Sequence, residues 1–181
     1  MKKTDKGENT MTALEKLLAK DQIRETIYLY SRCMDRCDNA LCDLIFTEDS
    51  HLHYPPDFEG TGREFCAWAE GNHRRMYDYT SHQYTDVTIQ FKSDTEAVSE
   101  TYGILSLFGR EGAMGAKPHK RKVLTIHNRY IDRWTKCSDG RWRICERYML
   151  NEQNNLTDVG YYAGSHLSRR DREDLVYKMF E

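Results

Sequence analysis

Tyr84-Thr85-Asp86-Val87-Thr88-Ile89-Gln90-Phe91 places Val87, Ile89 and Phe91 on one face of an extended chain and Thr88 and Gln90 on the other. A period of two marks a half-buried strand. The same alternation returns in Glu96 to Phe108, Lys122 to Trp134 and Arg141 to Asn151. Asp139-Gly140 makes Thr135 to Gly140 a hairpin turn, and Gly109 to Lys117 is a longer, looser hairpin loop. Strands so long, joined so shortly, predict a curved antiparallel sheet.

Upstream of Tyr84 the period changes. From Thr12, the apolar positions Leu14, Leu17, Leu18, Ile23, Ile27, Tyr30 and Met34 recur mostly at steps of three and four, which predicts a long helix with one buried stripe. Asp38 is placed to cap a second helix, Asn39 to Phe46, whose Leu41, Leu44 and Ile45 would face the first. His51-Leu52-His53-Tyr54 alternates briefly before Pro55-Pro56, and the prolines restrict it to a short edge strand. Gly60-Thr61-Gly62 then leads into a third helix carrying Phe65, Trp68, Ala69 and Met76.

This order predicts an α+β fold in which a cone-shaped, curved antiparallel sheet and three helices from the N-terminal half enclose a hydrophobic pocket. Residues 1–11 read as a flexible leader, 12–151 as the domain, and 152–181 as a tail anchored by Tyr161, Tyr162, Leu175, Val176 and Phe180. The tail would close the pocket, contact a partner chain or hang loosely.

At 181 residues the chain suffices for one ordinary core. Lys plus Arg total 27 against 29 Asp plus Glu, a net charge of −2, so neither nucleic acid nor a membrane surface is an expected partner. The one basic stretch, Lys117 to Lys122, reads as a solvated hairpin loop. No run approaches a membrane span and the first ten residues are polar, so a cytoplasmic location is expected. The cysteines Cys33, Cys37, Cys42, Cys66, Cys137 and Cys145 lack paired C-x-x-C spacing, and neither a metal nor a disulfide is expected. The 12 tyrosines bring hydroxyls wherever they are buried, which suits a cavity with polar tips.

Chemistry is concentrated at two points. Asp35 stands where the first helix runs out, at the negative end of its macrodipole, and its charge gains by pairing with a cation or an imidazole N–H. His82, at the opening of the first long strand, is the best-placed partner. A histidine oriented by a carboxylate can remove a proton near neutral pH, which makes the pair a candidate acid/base dyad. Five residues on a regular helix separate Tyr30 from Asp35 by about 140°, so for both to serve one site the helix must end or bend before Asp35. Of the other imidazoles, His127 lies on a strand and is a candidate substrate contact, while His51 and His53 read as structural.

The order of elements, with Leu29-Tyr30-Ser31-Arg32-Cys33-Met34-Asp35, His82 and the Arg147 of Trp142-Arg143-Ile144-Cys145-Glu146-Arg147, resembles the SnoaL-like branch of the nuclear transport factor 2-like superfamily. The resemblance covers roughly Leu14 to Asn151. Within that branch the pattern is most similar to the group holding bile-acid dehydratases, scytalone dehydratase, hexachlorocyclohexane dehydrochlorinase and lyases of lignin-derived aromatic diols. The resemblance implies that Asp35 orients His82, that His82 is the base, and that Tyr30 is catalytic. It also implies that Tyr54 is a pocket tyrosine and that Arg147 supports the substrate or the aspartate. Leu105 or its neighbours fall where the bile-acid enzyme has an acidic pocket residue, which speaks against a bile-acid substrate.

The expected function is a cofactor-independent lyase that removes water, or a small carbonyl fragment such as formaldehyde, from a hydroxylated hydrophobic ring compound. Tyr30 and Tyr54 would donate hydrogen bonds to the developing anion. A double-bond isomerase would use the same dyad. A non-catalytic subunit similar to the small subunits of aromatic-ring dioxygenases, or a carrier of hydrophobic ligands, would not need it. By analogy with the fold, a homodimer or homotrimer is expected.

Overall fold

Two threonines start the two long helices in the same way. Thr12 accepts from the Glu15 amide while the Glu15 carboxylate accepts from the Thr12 amide, and Thr61 and Glu64 repeat the exchange. Each capping box satisfies donors that the first helical turn leaves unpaired. The helices are α1 (Ala13–Arg36) and α3 (Gly62–Met76), with a short α2 (Cys42–Ile45) between them. The computed structural model describes residues 10–160 and 168–180.

One sheet contains β1 (Phe46–Tyr54), β2 (Phe58–Gly60), β3 (Tyr77–Phe91), β4 (Glu96–Gly109), β5 (Arg121–Lys136) and β6 (Trp142–Val159), in the order β2-β1-β6-β5-β4-β3. The sheet is curved and unclosed, and the N-terminal helices pack on it, as expected for a cone-shaped α+β fold. A final helix, α4 (Leu175–Phe180), follows. Among the described residues, no helix is long and apolar enough to cross a membrane.

Several boundaries differ from the periodicity reading. The strand at His51 is not an edge strand: β1 pairs antiparallel with β2 and parallel with β6. Pro55 and Pro56 follow its last residue and therefore break no ladder bond. β3 begins at Tyr77, so His82 lies inside the strand instead of opening it. Its buried positions there are Thr80 and His82, polar residues that no hydrophobic pattern marks. β6 continues to Val159, eight residues past Asn151, because the largely exposed stretch 152–159 stays in the antiparallel ladder with β5, and Glu152 also accepts from Arg129 across it.

The helices also shift. Leu14, Leu17 and Leu18 are 64%, 60% and 54% exposed, and the buried stripe of α1 runs instead through Ala19, Ile23, Ile27, Tyr30, Cys33 and Met34. The first turns lie over the rim of the sheet, where the amides of Thr10 and Met11 donate to Asp94 in the β3–β4 turn. Asp38 caps nothing; it accepts from Tyr177 and Arg172. The second helix breaks into a 3-10 turn (Asn39–Leu41) and α2, leaving Leu44 exposed.

Of the expected tail anchors, Tyr161 and Tyr162 lie outside the described residues, and Leu175 and Phe180 are exposed. Val176 is half-buried, and among the described tail residues Asp174 and Tyr177 are the buried ones. Residues 168–180 pack on the C-terminal end of α1: Arg36 pairs with Asp174 at 3.2 Å.

Candidate active site

Asp35 occupies the last turn of an unbroken α1, which ends at Cys37 in the left-handed conformation. β3 runs beside this helix end, and three groups of the strand bond one carboxylate. Thr80 Oγ1 donates to Oδ1 at 2.9 Å, the His82 amide donates to Oδ2 at 2.9 Å, and His82 Nδ1 lies 2.6 Å from Oδ1. Burial alone would raise the Asp35 carboxyl. The charge of His82 and the hydrogen bonds from His82 and Thr80 outweigh it and hold the group below the ordinary aspartate value.

Arg170 anchors the carbonyl ends of both helices, donating to the carbonyls of Asp35, His73 and Tyr77. It supplies positive charge where both macrodipoles are negative.

The helix need not bend for Tyr30 and Asp35 to serve one site, contrary to expectation. Asp35 reaches sideways to β3, and the His82 ring turns back into the cavity that Tyr30 lines. The Tyr30 and His82 ring centroids are 6.4 Å apart, edge to face. With Nδ1 engaged by Asp35, Nε2 is the nitrogen offered to a bound molecule.

That cavity has a volume of about 370 Å³, within the range of small-molecule sites. Its walls are largely apolar or aromatic: Tyr30, Tyr54, Phe65, Leu105, Leu107 and Tyr130. The Tyr30 and Tyr54 hydroxyls lie 3.1 Å apart. Burial raises both phenols, so they remain protonated donors. None of the described residues 168–180 lines the cavity.

Two expected site residues stand elsewhere. Arg147 is fully buried behind the tyrosines, bidentate to Asp132 at 2.6 and 2.9 Å, and does not contact Asp35. Its guanidinium lies 4.4 Å from the ring centroids of both Tyr30 and Tyr130, so it bears on the tyrosines from below. His127 is exposed on the outer face, since β5 alternates and it is Leu124, Ile126, Asn128 and Tyr130 that face the cavity.

Asn128 was therefore legible from phase alone. It is 2% exposed, its amide has no hydrogen-bond partner among the described residues, and Gly103 makes room for it: a Cβ there would stand 2.4 Å from its Oδ1. His73, on α3, carried no such signal. Its Nδ1 lies 3.2 Å from the Met34 carbonyl, and its ring lies 5.7 Å from that of His82. Burial, and then the charge of His82, pushes the His73 imidazole down to about 3, so it stays neutral. Among the described residues, the one grouping of imidazole and carboxylate suited to a metal, His51, His53 and Glu59, lies outside the cavity.

Fold and site together define an α+β cone in which a half-buried Asp35 holds a buried His82 that lines an aromatic cavity. The chain belongs to the SnoaL-like domain family, whose pattern matches residues 15–148. No curated protein matches it significantly by sequence.

Solved structures of similar fold include a protein of Novosphingobium aromaticivorans provisionally named a scytalone dehydratase. It is 23% identical, with a TM-score of 0.67 over 87% of this chain and 99% of that one. A type 2 hexachlorocyclohexane dehydrochlorinase, LinA, is 15% identical with a TM-score of 0.70 over 86% and 99%. A type 3 LinA from Novosphingobium barchaimii is 14% identical with a TM-score of 0.68 over 85% and 99%. These likenesses concern the fold, and they match the group that the sequence resembles.

Proposed function

We propose that the protein is a cofactor-independent lyase acting on a hydroxylated hydrophobic ring compound, with His82 as general base and acid and Asp35 as its orienting carboxylate. The observation that carries this reading is the 2.6 Å contact between Asp35 Oδ1 and His82 Nδ1 at the wall of a cavity of about 370 Å³. Scytalone dehydratase and hexachlorocyclohexane dehydrochlorinase are enzymes that by name eliminate water and hydrogen chloride, and the shared fold supports a lyase of that kind.

In the proposed step, His82 Nε2 takes a proton from substrate carbon, and the electron pair left behind forms a carbon–carbon double bond as the hydroxyl departs. The imidazolium, stabilised by Asp35, returns the proton to that hydroxyl as water. Tyr30 and Tyr54 donate to the oxygen on which charge develops. Loss of formaldehyde would begin with a hydroxyl proton instead: the oxygen's electron pair forms the carbonyl, the carbon–carbon bond breaks, and the carbon that keeps its electron pair takes the proton back from the imidazolium.

The test is mass spectrometry of purified protein incubated with hydroxylated steroids, hydroaromatic diols and diaryl propanediols, with His82→Ala in parallel and no added cofactor. One compound losing water or formaldehyde with the native chain alone is the expected result. Product of unchanged mass but shifted double bond would assign an isomerase using the same pair. Equal binding by both proteins without conversion would sink the enzymatic reading in favour of a carrier or subunit.

A further inference from the structure

His51 and His53, two residues apart on extended β1, project from the same face of the sheet, opposite to Leu52 and Tyr54 in the core. Glu59 of β2 is the register partner of His53. Its Oε1 lies 3.1 Å from His51 Nε2 and 3.5 Å from His53 Nδ1, and the three ligand atoms all fall within 4.8 Å of one another. Ligands about 2.0–2.1 Å from a tetrahedral zinc ion are about 3.3 Å apart, close to both of those edges.

The surroundings are organised as they are around ligating imidazoles. The other nitrogen of His53, Nε2, faces Glu146 Oε1 at 3.9 Å. The His53 ring stacks on Tyr148 with centroids 4.2 Å apart and planes 5° from parallel. Tyr148 donates its hydroxyl to Glu146 at 2.9 Å, and Arg133 pairs with the same carboxylate at 2.7 Å. At 3.9 Å this carboxylate is beyond hydrogen-bond reach, but its negative charge behind the far nitrogen favours a cation at the near one, and the stacked Tyr148 fixes the plane of the ring.

We propose that His51, His53 and Glu59 form a binding site for one divalent transition ion of the zinc type, with water as the remaining ligand. Two imidazoles and a carboxylate suit zinc, nickel or copper better than magnesium or calcium. His51 and Glu59 face solvent, so an ion reaches them without disturbing the core. A bound ion would tie β2 to β1 at the hairpin that also carries Tyr54 and Asp57, both of which line the cavity. Cysteine spacing carries no trace of this site, because only strand pairing brings Glu59 to the two histidines.

The experiment is calorimetric titration of the full chain with Zn²⁺, with Mg²⁺ as the hard-ion comparison. His51→Ala, Glu59→Gln and Glu146→Gln are titrated in parallel, and circular dichroism checks each fold. The expected result is saturable uptake of one Zn²⁺ per chain without matching Mg²⁺ uptake. His51→Ala and Glu59→Gln should weaken it at least tenfold, and Glu146→Gln by a smaller factor through loss of the negative charge behind His53. Absence of saturable uptake, or uptake unchanged in His51→Ala and Glu59→Gln, would overturn the site and leave Glu59 as a hydrogen-bond acceptor only.

Discussion

At the residue scale, Asp35 is fixed before anything enters the cavity, because Thr80, the His82 amide and the His82 ring all hold one carboxylate. A preset carboxylate sets the tautomer of its histidine, so exchanging acceptor for amide is costly out of proportion to its size. Asp35→Asn should lower kcat by about 10²–10⁴-fold in the mass-spectrometric assay while the fold persists. Asn128 makes a different kind of prediction. Its unsatisfied amide is available to a polar group of the substrate, and a neutral hydrogen bond is worth about 1 kcal/mol. Asn128→Ala should therefore raise KM several-fold with little change in kcat; an unchanged KM would remove it from the site. Asp35 and His82 were legible as a pair because helix and strand patterns bracket them. The choice between His127 and Asn128 depends on strand phase, which a single residue of register reverses.

At the element scale, β5 and β6 share one buried ion pair. Arg147 and Asp132 are 1% and 0% exposed by side chain, and the guanidinium also underlies Tyr30 and Tyr130. Removing one partner strands a buried charge. Asp132→Asn should destabilise the protein by about 3–5 kcal/mol in urea unfolding, and the double variant Arg147→Met/Asp132→Leu by distinctly less. If the single and double variants were equally destabilised, uncompensated charge would not be the cause. The family resemblance gives Arg147 the substrate or Asp35 as its partner. Only the register, which sets Asp132 opposite Arg147, shows otherwise. The continuation of β6 beyond Asn151 was illegible for a related reason: a polar ladder is held by backbone groups common to every residue.

At the scale of the whole molecule, acid stability follows from two groups at the cavity. His73 titrates at about 3 when folded and near its ordinary value of 6.5 when unfolded, so between those limits the unfolded chain binds the extra proton. Stability is then full above about pH 6.5 and falls by up to about 1.4 kcal/mol per pH unit for this group on acidification. Asp35, lowered when folded, acts in the same direction further down: its contribution is present above the unfolded value and lost as pH falls through the folded one. Urea midpoints at pH 7, 6 and 5 should decline in the native protein and flatten in His73→Gln. Parallel declines would place the acid sensitivity elsewhere.

Periodicity along the chain was enough for the long α1 and α3, the four long strands, their antiparallel hairpins and thus the α+β class, since each follows from neighbours a few residues apart. Asp35 and His82 stand out against those patterns by residue type, and the family resemblance added Tyr30 and Tyr54. The parallel pairing of β1 with β6, the withdrawal of Arg147 to Asp132 and the docking of Arg170 against the α1 terminus were decided by the folded arrangement alone. Each joins residues far apart in sequence, and such contacts are chosen by curvature, register and the need to pair buried charge, none of which leaves a period in the chain.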